Sequence, residues 1–104
     1  MPVTTLADHT IHVDDAGFLT DPSEWDDGLA LVLAEQVGLT LTDEHRAVLT
    51  FLREDFRQRG ETPTLRRASA GSGVPVKELF RLFPQKPAKK MAYVAGLPKP
   101  VGCV

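Results

Sequence analysis

Sulfur chemistry is almost absent from this sequence: one cysteine, Cys103, stands second from the end. A lone thiol cannot close an internal disulfide, so the stapled frameworks of small secreted domains are excluded, and the expected setting is a reducing compartment where an unpaired thiol stays available. Long apolar runs are missing as well, none approaching the roughly 20 residues that cross a bilayer. The opening MPVTTLADHT has no basic stretch followed by an apolar one, so no secretory leader is expected. Both absences point to the cytoplasm and to no membrane partner. Positive charge is missing from the whole first part: residues 1–45 carry ten carboxylates and no lysine or arginine, whereas 46–104 carry twelve basic residues against four acidic ones. Either the two parts attract each other and make a solvated surface, or the basic part faces an anionic partner such as RNA, DNA or an acidic protein surface.

Several catalytic signatures are lacking too. The three histidines, His9, His12 and His45, are accompanied by no HExxH and no Cys/His ligand spacing, and His9 and His12, three apart on a strand, would point to opposite faces, so no metal is expected. No serine sits in a GxSxG elbow, which removes the hydrolase triad on that pattern. The glycine-rich AGSG is not followed by the GK[ST] of a phosphate loop. No cofactor is implied by any of these stretches.

What is present describes one folding unit of 104 residues with 42% apolar and 25% charged residues, long enough for a single modest core. Short alternating apolar stretches around Val3, Leu6, Ile11, Val13 and Phe18, with turn residues at Ala7-Asp8 and Asp14 to Gly17, predict two or three antiparallel strands. The period then changes. Asp21 or Ser23 can cap a helix carrying Trp25, Leu29, Val32 and Leu33, with Pro22 in its first turn and Gly38 at its end. The clearest helix runs through LTDEHRAVLTFLREDFRQRG: Thr42 caps it, Asp43 and Glu44 complement its positive end, Val48, Leu49, Leu52 and Phe56 form its apolar stripe, and Arg57, Arg59 and Gly60 close it. Three short helical pieces follow, separated by Gly or Pro. The expected class is therefore α+β and mostly helical: a small antiparallel meander (about 2–20) on an array of about five helices (about 22–94), making a domain over 1–96, with a mobile C-terminal arm over 97–104. Phe18, Trp25, Leu29, Val48, Leu52, Phe56, Leu79 and Phe83 are the expected core.

Two segments invite a function. TPTLRRASAGSGVPVKELFRLFP has the helix, glycine turn and helix of a helix-turn-helix, and the run into LFRLFPQKPA is similar to the DNA-reading part of TetR-type repressors. A DNA-binding regulator is thus one alternative, although the second helix offers only Lys77 and Arg81 for polar contacts and no Asn or Gln to read bases. The other segment is the tail, AGLPKPVGCV. Pro98 and Pro100 stiffen it, and Gly102 removes bulk beside Cys103, so that another protein's sulfur or backbone can approach the thiol. Only the thiolate attacks a sulfur electrophile; the nearby terminal carboxylate disfavours it, while Lys99 and basic side chains of the body favour it. A frayed end with an incidental cysteine is the plain alternative.

DDAGFLTDPSEWDDGLA, LTDEHRAVLTFLRE, LFRLFPQKPAKKM and above all AGLPKPVGCV resemble, in this order, the successive signatures of the DsrC/TusE family, which includes the gamma subunit of dissimilatory sulfite reductase. The segment from Pro63 to Val76 departs from that pattern by being shorter and rich in small residues. The resemblance implies a meander against a helical array with a mobile arm, and a sulfurtransferase-type persulfide carrier, rather than a stand-alone catalyst, in which Cys103 accepts and passes on sulfur. DsrC proper has a second cysteine eleven residues earlier; here that position is Ala92, so the chain looks like a single-cysteine, TusE-like member. The implied partners are a TusBCD-like donor and an MnmA-like tRNA thiolase that makes 2-thiouridine, with tRNA met indirectly, or else a sulfite reductase-like complex in sulfur oxidation, sulfite metabolism or persulfide trafficking. Lys99, Pro98, Pro100, Gly102, Arg66, Arg67, Lys86, Lys89 and Lys90 are the candidates for holding the persulfide or docking those partners.

Overall fold

The computed structural model describes residues 3–6 and 9–99 of the chain. Strands β1 (Val3–Leu6) and β2 (His9–His12) pair antiparallel, with Val3 opposite His12 and Leu6 opposite His9. The expected turn at Ala7-Asp8 lies outside the described residues. After β2 the chain reverses through Asp14 to Gly17, where the Asp14 carboxylate accepts from the backbone N–H groups of Ala16 and Phe18 and Gly17 takes φ +90°. The returning chain makes a single bridge between Val13 and Leu19. This is the expected meander in its shortest form.

The entry to the helical array differs from expectation in one place. Asp21 does cap a helix with Pro22 in its first turn, but that helix is only the 3-10 turn Pro22–Glu24, and Asp26 caps a separate α1 (Asp27–Gln36) by accepting from Leu29 N–H. Trp25 therefore sits at the junction rather than on a helix. A second capping carboxylate placed where the first turn would otherwise propagate makes this break possible. Four further helices follow: α2 (Asp43–Arg59), α3 (Leu65–Ser72), α4 (Val76–Leu82) and α5 (Pro87–Val94). Thr42 caps α2 as expected and forms a reciprocal box with His45, and Gly60 ends it in the left-handed region. Gly73 does the same for α3.

α1 lies between two apolar clusters. Leu29 and Leu33, one turn apart, join Ile11, Val13 and Leu19 under the strands, while Ala30 and Ala34, displaced by one residue, join Val48, Leu52, Leu79, Phe83, Met91 and Val94 in the main core. Large residues thus face the small sheet, and alanines let α1 approach the other helices closely. Of the expected core, Phe18, Leu29, Val48, Leu52, Leu79 and Phe83 are buried; Trp25 and Phe56 are half-buried and pack on the core from its edge. No helix among the described residues is long and apolar enough to cross a membrane.

Candidate functional site

The tail leaves the body at the C-terminal end of α5, and its first residues are held there. Gly96 turns the chain at φ +71°, and Leu97 follows with its side chain 1% exposed and its N–H donated to the Ala92 carbonyl at 3.0 Å. Trp25 packs so tightly over the turn that a Cβ on Gly96 would lie 2.3 Å from Trp25 Cδ1. The indole Nε1–H donates to the Val94 carbonyl at 2.8 Å. Arg53, on α2, places its guanidinium 4.2 Å from the Trp25 ring centre and donates to the carbonyls of Ala95 at 2.8 Å and Pro22 at 3.0 Å. Burial holds the Arg53 pKa below the ordinary guanidinium value, yet two carbonyls and an aromatic face compensate the cation where it sits. One residue further on, Thr62 Oγ1 donates to the Pro98 carbonyl at 2.8 Å. Carbonyls at 94, 95 and 98 are thus each tied to a different part of the body. A cavity of about 690 Å³ opens beside this root, lined by Trp25, Arg53, Phe56, Arg57 and Leu97 among others.

The sequence-predicted site residues are distributed unevenly around this root. Pro98 is half-buried and Lys99 exposed at the last described position, whereas Pro100, Gly102 and Cys103 lie outside the described residues. Lys86, Lys89 and Lys90 come together around a smaller cavity of about 330 Å³, with Lys90 Nζ donating to the Pro84 carbonyl at 2.5 Å. Arg66 and Arg67 do not join them. Arg66 is exposed on α3, and Arg67 is occupied, its Nε and Nη2 clasping the buried Asp55 carboxylate at 2.7–3.1 Å. Ala92, the position of the second cysteine in DsrC proper, is 1% exposed inside α5.

Trp25, Arg53, Thr62 and Gly96, which fix the root, were not among the expected site residues. The glycine directly before LPKP was the legible signal, since a glycine there suggests a sharp turn or a close approach. Nothing local marks Arg53 or Thr62, whose partners are 42 and 36 residues away.

The helix-turn-helix candidate becomes α3, the left-handed Gly73 and α4. Its second helix turns Leu79 and Leu82 inward and leaves Val76 and Phe80 exposed, at 39% and 49%. Arg81, one of its two basic residues, is engaged by Glu78 and Glu44. Exposed Val76 and Phe80 and an arginine already paired with carboxylates leave Lys77 as the one basic side chain of α4 without a described carboxylate partner, a poor match to a groove walled by phosphates. His12 and His45 are also engaged: His12 Nδ1 lies 2.6 Å from Glu24 Oε2, and buried His45 faces Thr42 with Nδ1 and the Leu82 carbonyl with Nε2. A carbonyl only accepts, so His45 carries its proton on Nε2.

The fold and the root define a class: a small helical body that mounts a C-terminal extension bearing the chain's only thiol. The chain belongs to the DsrC-like family, whose pattern, described as "DsrC like protein", it matches over residues 5–104. It is 39% identical to the sulfurtransferase TusE of Escherichia coli strain K12 over 101 residues, 90% of this chain and 93% of that protein, and 38% identical to the TusE of Photorhabdus laumondii, covering 90% and 91%. Among solved structures it superposes on Allochromatium vinosum DsrC with a TM-score of 0.84 at 36% identity, covering 98% of this chain and 97% of that one. The oxidized gamma-subunit of the dissimilatory sulfite reductase (DsrC) from Archaeoglobus fulgidus gives 0.83 at 34% identity, covering 99% and 100%.

Proposed function

We propose that this protein is a sulfur-relay carrier of the sulfurtransferase type, with Cys103 as the sulfur-bearing residue. The observation that carries the reading is the family match extending to residue 104, which takes in the only cysteine. The Cys103 thiolate attacks the outer sulfur of a donor persulfide; the donor's S–S bond breaks, the donor leaves as a thiolate, and Cys103 becomes the persulfide. An acceptor thiolate then takes the outer sulfur and returns Cys103 to the thiolate. No electrons are gained or lost in either step, so neither a cofactor nor an external oxidant enters the cycle. A cycle through an internal disulfide is unavailable to a chain with one cysteine.

The anchored root supports this reading physically. Four residues beyond Lys99 can extend about 14 Å at most, so the thiol's reach is measured from a fixed point rather than from a sliding one. Pro98, Pro100 and Gly102 stiffen and slim that reach, and Lys99, Arg66 and the lysines of α5 favour an anionic persulfide or an acidic partner surface. The acceptor is a tRNA thiolase of the 2-thiouridine pathway, as the TusE relatives suggest, and the donor is a TusBCD-like complex. The DsrC structures support a second assignment of the same chemistry, discharge to a sulfite reductase-like complex.

Incubation with a small-molecule persulfide donor followed by intact mass measurement tests the reading. One added sulfur, about 32 mass units, is expected on the native chain and none on Cys103→Ser. Sulfur uptake by Cys103→Ser, or none by the native chain, overturns it. Discharge of the loaded protein by a tRNA thiolase or by a sulfite reductase distinguishes the two acceptors.

A further inference from the structure

The 330 Å³ cavity at the start of α5 differs in character from the one at the root. Phe18, Val37 and Tyr93 give it apolar walls, and Lys86, Lys89 and Lys90 line it as well. Phe18 and Tyr93 stand edge to face at 5.8 Å and 86°, which fixes the aromatic part. Lys86 and Lys89 make no ion pair among the described residues, although the chain holds fourteen carboxylates. The backbone adds a second observation. Gln85 and Lys86 are consecutive non-glycine residues at positive φ, +57° and +31°, a conformation that L side chains adopt at a cost and that a glycine would relieve. A lysine is kept at a strained position on a lysine-rimmed cavity, and strain retained in this way points to a use for the side chain.

The geometry points to a docking site for a partner protein segment that carries one large apolar or aromatic side chain flanked by carboxylates. The apolar walls take the side chain, with a volume at the small end of ligand cavities, and the lysines meet the carboxylates. A nucleic acid strand fits less well, because it needs a track of cations along successive phosphates. Here the positive charge is local: Ala16 and Gly17 also border the cavity, in a turn that begins with Asp14 and Asp15. The inference rests on the carrier reading, in which donor and acceptor must hold the body while the tail reaches into them.

The test uses the full chain, labelled for NMR and titrated with a blocked peptide bearing two carboxylates on each side of a phenylalanine. A peptide with lysines in place of the carboxylates and a single-stranded oligouridylate serve as comparisons. Expected are shifts at Gly17, Phe18 and Tyr93 with the acidic peptide only, about tenfold weaker binding for Lys86→Gln/Lys89→Gln, and loss of binding as salt is raised. Lys86→Gly is expected to raise the melting temperature and weaken the peptide, two readouts that a merely structural lysine would not move in opposite directions. Shifts centred on Val76 and Phe80 instead, equal binding of the two peptides, or tighter binding of oligouridylate each overturn the proposal. Persulfide loading of Cys103 measured on the same samples separates the two failures: loading without docking removes only this site, and docking without loading removes only the carrier.

Discussion

Asp55 is only 5% exposed and yet ionised. Arg67 clasps it with Nε and Nη2, and Arg59 adds a longer contact at 3.4 Å. The Arg67 hydrogen bonds hold its carboxyl below the usual aspartate range. A carboxyl whose pKa is lowered on folding contributes stability that is complete above its unfolded value, near ~3.9, and is lost as pH falls through the folded value. Urea unfolding of the native chain should therefore lose stability below about pH 4, and Arg67→Ala should flatten that acid slope. At neutral pH the same substitution should also lower stability, because it leaves the buried Asp55 carboxylate with only the longer Arg59 contact. An acid slope unchanged in Arg67→Ala would mean that Asp55 is not the group being titrated.

At the scale of elements, helix ends account for most of what sequence patterning predicted well. Thr42 and Gly60 mark the ends of α2 because each acts on a backbone group within four residues of itself, and Asp43, Glu44, Arg57 and Arg59 stand in its first and last turns with the signs that complement the helix dipole. Thr42→Ala removes the side chain that accepts from His45 N–H and should lower stability by about 1 kcal/mol, read as a lower urea midpoint at unchanged slope. An unchanged midpoint would show that the His45 contacts to Thr42 N–H and Leu82 hold the helix start unaided. The one misjudged element, the helix placed from Asp21 onward, shows the limit of such signals. Asp21 and Asp26 are both competent caps, and the choice between one long helix and two pieces is made by Trp25, whose indole binds the end of α5 69 residues away.

Over the whole molecule, Gly96 is where the N-terminal segment, the helical array and the tail meet. Alanine there would be strained at φ +71° and would drive its Cβ into Trp25, which the Val94 carbonyl and Arg53 prevent from moving aside. Gly96→Ala should cost about 3 kcal/mol, measured by urea unfolding, with Trp25 fluorescence reporting the altered packing. A loss below about 0.5 kcal/mol, the range of inert surface changes, would show that the root is looser than its geometry implies. The charge asymmetry of the sequence resolves only in part at this scale: Arg46–Asp27 at 3.8 Å and Arg81–Glu44 at 3.2 Å bridge the acidic and basic parts. Among the described residues Lys86 and Lys89 enter no such pair.

The sequence by itself determined the ends of α2, the mostly helical class and the family, because caps, apolar periodicity and a terminal motif act over a few neighbouring residues. Only the tertiary structure decided how the tail is rooted, that Arg67 serves Asp55, and that three lysines share a cavity with Phe18 and Tyr93. Those facts depend on groups 12 to 75 residues apart meeting in space, and the packing that brings them together leaves no local trace in the order of residues.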